Sequence, residues 1–228
     1  MNSITTRVWI AGASGRLGSA LSHRFGGNTA YKLVTSDRDV AVEDVSVVGR
    51  FADINHPDVI INCAGLTDVQ DCEENPEEAY KINAIGARNL ATAARRIDAK
   101  FIQISTDDVF GGDEDKAFCE FDDPHPTTMY GKSKYAGEKL VRELTDKHVI
   151  VRSSWLYGVG SYDFVDRVLD TAAKEGAVHL PEDEISSPTS AEALAGFIDC
   201  LMHSREYGLF HACLLYTSPS PRDMRRSR

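Results

Sequence analysis

The sequence predicts an α/β fold in which helices cover both faces of a doubly wound parallel sheet, with a smaller lobe towards the C-terminus. Short apolar runs rich in β-branched residues alternate along the chain with helical patterns, as in βαβ units. A glycine-rich turn follows the first run directly, which is where such sheets bind nucleotides. A chain of 228 residues is long enough for one domain of this class and a small second one.

Five apolar runs are the predicted strands, because strands covered on both faces are apolar throughout instead of alternating. They occupy residues 8–13, 31–35, 59–64, 101–105 and 149–153. The clearest helical pattern covers residues 75–97 and begins with Asn75 as a cap before Pro76. Further helices are predicted over 130–144, 162–174 and 191–203, with a turn-rich segment at 180–188.

The chain is expected to divide into three segments. Residues 1–154 form the predicted dinucleotide-binding domain, and residues 155–212 form a smaller substrate-binding lobe that interleaves with it. Residues 213–228 are rich in Ser, Pro and Arg without an apolar period, which is typical of a disordered basic tail. The string also resembles translated adapter sequence, and we therefore expect a non-native tail outside the fold.

Composition and charge exclude several classes of protein. The net charge is −10, with 25 basic and 35 acidic residues, so we expect no nucleic-acid partner. No run of about 18 apolar residues is present, and the N-terminus lacks the pattern of a secretory signal. The five cysteines contain no C-x-x-C pair, and the seven histidines show no metal spacing. We expect a cytoplasmic protein with reduced cysteines, no bound metal and no membrane partner.

The turn after the first predicted strand has the pattern of a phosphate-binding loop. Glycines let backbone N–H groups approach a pyrophosphate, and the following helix directs its positive end at the same anion. The residues of this loop expected to bind a dinucleotide are Gly12, Ser14, Gly15, Arg16, Leu17 and Gly18. A plain strand-to-helix turn is the alternative.

Two opposite charges follow the second predicted strand. An acidic residue about 20 positions beyond the glycines normally accepts from a ribose 2′-hydroxyl, whereas an arginine binds a 2′-phosphate. Asp37 and Arg38 are adjacent here, so NADH and NADPH both stay open as the cofactor. Two solvated charges at a strand end are the alternative.

Tyr130 and Lys134 are four residues apart and therefore lie one turn apart on one face of the predicted helix. A phenol has a pKa of about 10 and a neighbouring cation lowers it, so we expect Lys134 to lower the pKa of Tyr130. The phenol can then donate its proton to a carbonyl oxygen while hydride reaches the carbon. Lys134 can also reach the ribose of a nicotinamide. A tyrosine packed under a surface lysine is the alternative.

The ends of two other strands complete this constellation. Thr106 ends the fourth predicted strand, where ligands bind in open α/β sheets, and its hydroxyl can share a carbonyl oxygen with Tyr130. Ala64 and Gly65 end the third strand at the same edge. A glycine loop, three strand ends and a Tyr–Lys helix in this order indicate an oxidoreductase that uses a nicotinamide cofactor.

With these motifs the chain resembles the extended short-chain dehydrogenase/reductases, and within them the dTDP-4-dehydrorhamnose reductase family. The resemblance covers residues 5–212. It is carried by the glycine loop, Asp39-Val40, Ile61-Asn62-Cys63-Ala64, Asn83-Ala84, residues 105–110, residues 130–134, residues 152–158 and Ser187-Pro188-Thr189. It implies a Rossmann-like fold and the reduction of the C4 carbonyl of a nucleotide-linked 4-keto-6-deoxysugar by NADPH or NADH.

The resemblance also implies roles for individual residues. Thr106, Tyr130 and Lys134 would form the catalytic set, and Asn83 would support Lys134 through water. Beyond the glycine loop, the cofactor-binding residues would be Asp37, Arg38, Asp39, Val40, Cys63, Ala64, Gly65 and Asn83, together with Tyr130 and Lys134. The substrate-binding residues would be Thr67, Asp107, Asp108, Val109 and Trp155, with the indole stacked on the sugar.

The sequence departs from the family pattern in two ways. Asp108 stands where the reductases carry Tyr, and the Asp107-Asp108 pair resembles the nucleotide-sugar dehydratases. A dehydratase or epimerase is therefore one alternative, although the dehydratases usually carry Asn at the position of Trp155. Family members are also longer, so the substrate-binding lobe is expected to be incomplete.

A non-catalytic function is a further alternative, since the β subunit of methionine adenosyltransferase has the same fold and many of the same motifs. On that hypothesis the chain is an NADP-binding regulatory subunit. The partner expected for the reductase is a nucleotide sugar. A homodimer with a second copy of the chain stays open.

Overall fold

The computed structural model describes residues 5–112, 117–159, 164–179 and 187–213. Its strands are β1 (Thr6–Ala11), β2 (Tyr31–Ser36), β3 (Val59–Asn62), β4 (Lys100–Thr106), β5 (His148–Ser153), β6 (Leu156–Tyr157), β7 (Thr189–Ser190) and β8 (Gly208–His211). Six of them form a parallel sheet in the order β2-β1-β3-β4-β5-β8, and β6 pairs with β7 in a small second sheet. The chain order reverses between β1 and β3, and the carboxyl ends at such a reversal are where α/β sheets bind ligands.

In the described part of the chain the helices follow the strands in alternation. They are α1 (Arg16–Phe25), α2 (Val45–Asn55), α3 (Val69–Glu74), α4 (Pro76–Tyr80), α5 (Ala87–Arg96), α6 (Met129–Leu144), α7 (Phe164–Glu175) and α8 (Ala191–His203). A π-helical turn, Lys81–Gly86, joins α4 directly to α5, and a short 3-10 turn, Asp107–Val109, follows β4. None of these helices is long and apolar enough to cross a membrane.

Each face of the main sheet has its own apolar core, because successive side chains of a strand point to opposite faces. Val8 and Ile10 of β1 pack into the core beneath α1 and α8. Trp9, between them, packs into the core on the other face with Leu90 of α5 and Val141 of α6. Helices therefore cover both faces of a parallel sheet, and the predicted fold class is confirmed.

The five predicted strands are all present, with ends shifted by one or two residues. The helices predicted over 130–144, 162–174 and 191–203 are also present. The single helix predicted over 75–97 is instead divided into α4, the π-helical turn and α5. The extra residue of this turn changes the direction of the side chains around it, including that of Asn83 within the turn.

The last described elements join the main sheet. Helix α8 packs against α1, and β8 pairs with β5 between Val149–Arg152 and Gly208–His211. Residues 191–211 therefore extend the layers formed by the first part of the chain, and the division at 154 stays a prediction. Of the predicted turn-rich segment, residues 180–186 lie outside the described residues, as do residues 214–228 of the expected tail.

Candidate active site

The glycine loop brings the ends of β1 and β3 into close backbone contact. Gly12 has a φ of +80°, and a Cβ at this position would lie 2.6 Å from the backbone nitrogen of Ala64. A Cβ on Gly18 would overlap the carbonyl oxygen of Gly12. Gly15 caps α1 without any side-chain hydrogen bond, so the first N–H groups of α1 face the loop. A cradle of backbone N–H groups that is closed to side chains fits a pyrophosphate.

The side chains of this loop bind groups within the protein. The backbone N–H and the hydroxyl of Ser14 both donate to Oδ1 of Asp37, at 2.9 and 2.7 Å. Arg16 donates from Nη1 to the carbonyl oxygen of Leu156 at 2.9 Å and so connects α1 with β6. Leu17 is buried in the core. The loop therefore offers a ligand mainly its backbone.

The charges after β2 have different surroundings. Asp37 is held by Ser14, and its own backbone N–H donates to Oδ1 of Asp39 at 2.8 Å. Val40 is buried beneath them. Arg38 is exposed and has no ion-pair partner among the described residues. Of this group, the guanidinium is the charge that is available to an anionic ligand.

Gly65 marks the point where the loop after β3, the π-helical turn and α6 meet. A Cβ here would lie 3.0 Å from Oδ1 of Asn83, 3.7 Å from Nζ of Lys134 and 3.9 Å from Cγ2 of Thr67. The neighbouring Cys63 also lies in this crevice, and burial raises the pKa of its thiol to about 12. The structure therefore brings these predicted site residues together at the carboxyl edge of the sheet.

Asn83 connects the loop after β3 directly to α6. Its Oδ1 accepts from the backbone N–H of Leu66 at 2.9 Å, and its Nδ2 donates to the carbonyl oxygen of Leu66 and to the hydroxyl of Ser133, both at 2.9 Å. The Ser133 hydroxyl in turn donates to the carbonyl oxygen of Tyr130 at 2.9 Å. Asn83 thus supports the first turn of α6 through direct hydrogen bonds.

Strand β4 and helix α6 bring the predicted catalytic residues together. The hydroxyl of Thr106 lies at the end of β4 and interacts with the phenol of Tyr130. One turn further along α6, Nζ of Lys134 donates to the carbonyl oxygen of Ile104 at 2.7 Å. Lys134 is 5% exposed, so this bond supplies a partner for a buried ammonium.

The predicted lowering of the Tyr130 pKa is wrong for this structure. Burial raises the pKa of Tyr130 well above its ordinary value, the charges of Asp108 and Asp107 raise it further, and the interaction with Thr106 only partly offsets them. Burial also lowers the pKa of Lys134 to about 8, against a partial offset from Glu138. Desolvation is the largest cause of the pKa shift for both groups, and Lys134 is not among the main causes for Tyr130.

The two adjacent carboxylates each have hydrogen-bond partners. Asp107 accepts from the Ser154 hydroxyl at 2.5 Å and from the Thr106 hydroxyl at 3.2 Å. Burial raises the pKa of Asp107, and these hydrogen bonds partly offset the increase. Asp108 accepts through Oδ2 from the Thr128 hydroxyl at 2.6 Å. No group of three or more His, Cys, Asp or Glu side chains within the described ranges is arranged to hold a metal ion.

Two of the predicted sugar contacts differ in exposure. Trp155 is 40% exposed and has a φ of +37°, a left-handed conformation that is strained for a large side chain. Such strain is often found at binding sites. Val109 is fully buried and exposes no surface to a ligand in this structure.

A buried ion pair behind the site was not predicted as part of it. Glu138 was not singled out from the sequence, and Arg152 was noted only as the start of the string 152–158 that carries the resemblance. Glu138, one turn beyond Lys134, accepts from Nε and Nη2 of Arg152 at 2.9 and 2.7 Å. It also accepts from the hydroxyl of Ser105, next to Thr106, at 2.6 Å. An acidic residue in a helix usually indicates a solvated face, and the i, i+4 spacing from Lys134 was the available signal.

Comparison with known proteins identifies the family of this chain. The family described as RmlD substrate binding domain matches residues 6–216. The spore coat polysaccharide biosynthesis protein SpsK of Bacillus subtilis is 35% identical over 207 residues, which are 90% of this chain and 72% of SpsK. The dTDP-4-dehydrorhamnose reductase of Mycolicibacterium smegmatis is 37% identical over 218 residues, covering 93% of this chain and 65% of that enzyme.

Solved structures give the same result. The dTDP-4-dehydrorhamnose reductase of Bacillus anthracis, solved in complex with NADP, superposes with a TM-score of 0.91 at 38% identity. The similarity covers 95% of this chain and 77% of that one. The chain thus spans about two thirds to three quarters of the length of these relatives. With the family match over nearly all described residues, the chain belongs to the RmlD substrate binding domain family.

Proposed function

We propose that this chain reduces the C4 carbonyl of a nucleotide-linked 4-keto-6-deoxysugar with NADPH. The observation that carries the proposal is the convergence of Thr106, Tyr130 and Lys134 beside a backbone cradle for a pyrophosphate. The relatives from Mycolicibacterium smegmatis and Bacillus anthracis are both named dTDP-4-dehydrorhamnose reductase. This chain covers 65% of the first of these enzymes and 77% of the second.

The three residues have complementary roles in such a reduction. Tyr130 is protonated at neutral pH and can donate its proton to a carbonyl oxygen, and its raised pKa makes it a weaker acid than a free phenol. Thr106 donates a second hydrogen bond to that oxygen. Lys134, with a pKa of about 8, is mostly charged at pH 7 and is placed to bind the ribose hydroxyls. The bound NADPH supplies the hydride.

The surroundings of Arg38 favour NADPH over NADH. A 2′-phosphate needs a cation, and Arg38 is exposed at the end of β2. A ribose 2′-hydroxyl needs an acidic acceptor, but one oxygen of Asp37 already accepts from Ser14 twice. The relative from Bacillus anthracis was solved with NADP, which supports the same choice.

The surroundings of the sugar favour a reductase over a dehydratase. A dehydratase needs carboxyl groups directed at the substrate, whereas Asp107 and Asp108 accept from Ser154 and Thr128. Trp155 offers a partly exposed aromatic face on which a deoxyhexose can stack.

All five cysteines are free, which supports the expected cytoplasmic location.

The test is NADPH oxidation by the purified chain with a dTDP-linked 4-keto-6-deoxysugar, followed by absorbance at about 340 nm, the reduced nicotinamide band. We expect Tyr130→Phe to lower kcat by about 100-fold or more while NADPH binding is retained. Tyr135→Phe, on the same helix, is the matched control. Unchanged turnover in Tyr130→Phe would contradict the assigned role. A stoichiometric protein partner, with no turnover on any ketosugar, would favour the regulatory alternative instead.

A further inference from the structure

We propose that Asp108 is a positioning residue that holds Thr106 and Tyr130 at a fixed separation. The inference rests on the proposed reduction, in which both residues bind one carbonyl oxygen. Thr106 ends β4 and Tyr130 lies in the first turn of α6, so they belong to different elements. Asp108 makes hydrogen bonds to both of these elements, one with its backbone and one with its carboxylate.

The backbone of Asp108 orients the hydroxyl of Thr106. The N–H of Asp108 donates to Oγ1 of Thr106 at 3.1 Å. A hydroxyl has one proton and two lone pairs, so a fixed donor on one lone pair restricts the direction of the proton. In this structure that proton is donated to Oδ1 of Asp107 at 3.2 Å, and the same hydroxyl interacts with the phenol of Tyr130.

The carboxylate of Asp108 holds the start of α6. Thr128 caps this helix, and its Oγ1 accepts from the backbone N–H of Gly131 at 2.9 Å. The same hydroxyl donates its proton to Oδ2 of Asp108 at 2.6 Å. A charged acceptor strengthens this bond and fixes the rotamer in which the oxygen faces Gly131. Tyr130 lies between Thr128 and Gly131 in the sequence, within the turn that this cap closes.

The packing of Gly131 adds a direct contact between the two elements. A Cβ at Gly131 would overlap the backbone carbonyl oxygen of Asp108. The first turn of α6 therefore lies directly on the backbone of the turn that follows β4. Asp108 is two residues after Thr106 and is bonded to Thr128, which is two residues before Tyr130. It therefore acts as a strut, a rigid connection between the elements that carry the two catalytic hydroxyls.

The test compares four variants of the full chain. Asp108→Ala and Thr128→Val remove the strut, whereas Asp108→Asn and Thr128→Ser keep an acceptor and a hydroxyl. Asp44→Ala is the matched control, because the side chain of Asp44 caps a different helix, α2. The measurements are kcat and KM for the ketosugar, the Kd of NADPH and the hydrogen-exchange rate of the Gly131 amide without substrate.

We expect Asp108→Ala and Thr128→Val to lower kcat by roughly tenfold or more, because small displacements of reacting groups reduce rates steeply. KM and the Kd of NADPH should change less than about threefold, and the Gly131 amide should exchange about tenfold faster. Asp108→Asn and Thr128→Ser should keep both kcat and the exchange rate of the Gly131 amide close to those of the unmodified chain. Asp44→Ala should change neither.

Two results would overturn the proposal. If Asp108→Ala leaves the exchange rate of the Gly131 amide unchanged, Asp108 does not hold the start of α6. A kcat loss in Asp108→Asn equal to that in Asp108→Ala would indicate that the charge itself takes part in chemistry. If the unmodified chain turns over no ketosugar, the proposed reaction is wrong. The exchange rate of the Gly131 amide, which is measured without substrate, still shows whether Asp108 holds the start of α6.

Discussion

Lys134 donates from Nζ to the carbonyl oxygen of Ile104 at 2.7 Å, two residues before Thr106. This bond attaches the ammonium of α6 to the carboxyl end of β4 and holds it in the interior. Burial there lowers the pKa of Lys134 to about 8. The position of the ammonium in the site and the stability of the fold are therefore connected through one side chain.

The pKa of Lys134 predicts a rise in stability with pH. Below pH 8 the side chain is charged in both the folded and the unfolded chain. Between pH 8 and 10.5 the unfolded chain keeps the proton that the folded chain has lost, so the free energy of unfolding rises. Relative to Lys134→Met, it should increase by about 2 kcal/mol between roughly pH 7.5 and 9.5.

Urea unfolding of both chains at several pH values measures this difference. The comparison with Lys134→Met removes most of the contribution from Cys63 and Tyr130, whose raised pKa values act in the opposite direction at high pH. A difference that stays flat over this range would show that the ammonium is solvated.

The ion pair of Glu138 and Arg152 predicts a large loss of stability. Glu138→Gln leaves the buried guanidinium of Arg152 without its counter-charge and should lower the free energy of unfolding by about 3–5 kcal/mol. Glu143→Gln, an exposed position on the same helix, should stay within about 0.5 kcal/mol of the unmodified chain. Chemical unfolding checks both variants, and equal stabilities would contradict the importance of the pair.

The close approach of Gly12 to Ala64 predicts a selective loss of cofactor binding. Gly12→Ala places a methyl group 2.6 Å from the Ala64 nitrogen and should abolish measurable NADPH binding by calorimetry. Gly27 has a similar φ of +75° with no atom within 4 Å, so Gly27→Ala introduces only the backbone strain. That control should lose about 1–2 kcal/mol of stability and keep its NADPH affinity. Normal binding by Gly12→Ala would exclude the cradle.

Arg38 predicts discrimination between the two nicotinamide cofactors. Arg38→Ala should weaken NADPH binding by about tenfold or more, since charge-assisted bonds to a phosphate contribute about 1.5–3 kcal/mol. NADH has no 2′-phosphate, so its Kd should change little. Arg50→Ala, an exposed arginine on α2, controls for overall charge. Equal losses for both cofactors would show that Arg38 does not bind the 2′-phosphate.

Local patterns were sufficient to predict the sheet and much of the site. Strands such as β3, which is buried along its whole length, are visible as apolar runs because both faces are covered. The glycine spacing predicted a loop in which Gly12 and Gly18 have no room for a side chain. The pattern over residues 130–144 predicted the helix, and the four-residue spacing placed Tyr130 and Lys134 on one face of it.

Features that depend on contacts between distant parts of the sequence could not be predicted from local patterns. The pairing of β8 with β5 joins residues about 60 positions apart, and four residues carry too little pattern to show it. The direction of the Tyr130 pKa shift depends on burial, which the Tyr–Lys spacing does not contain. The same holds for Glu138, whose partners Ser105 and Arg152 come from two different strands.

The π-helical turn between α4 and α5 makes this site sensitive to chain length as well as to side chains. Removing one of residues 84–86 would restore a continuous α-helix and rotate Asn83 and α4 by about 100° about the axis of α5. Asn83 would then face away from Leu66 and Ser133 with its amide intact. A one-codon deletion here should therefore be more damaging than most replacements of the amino acids themselves.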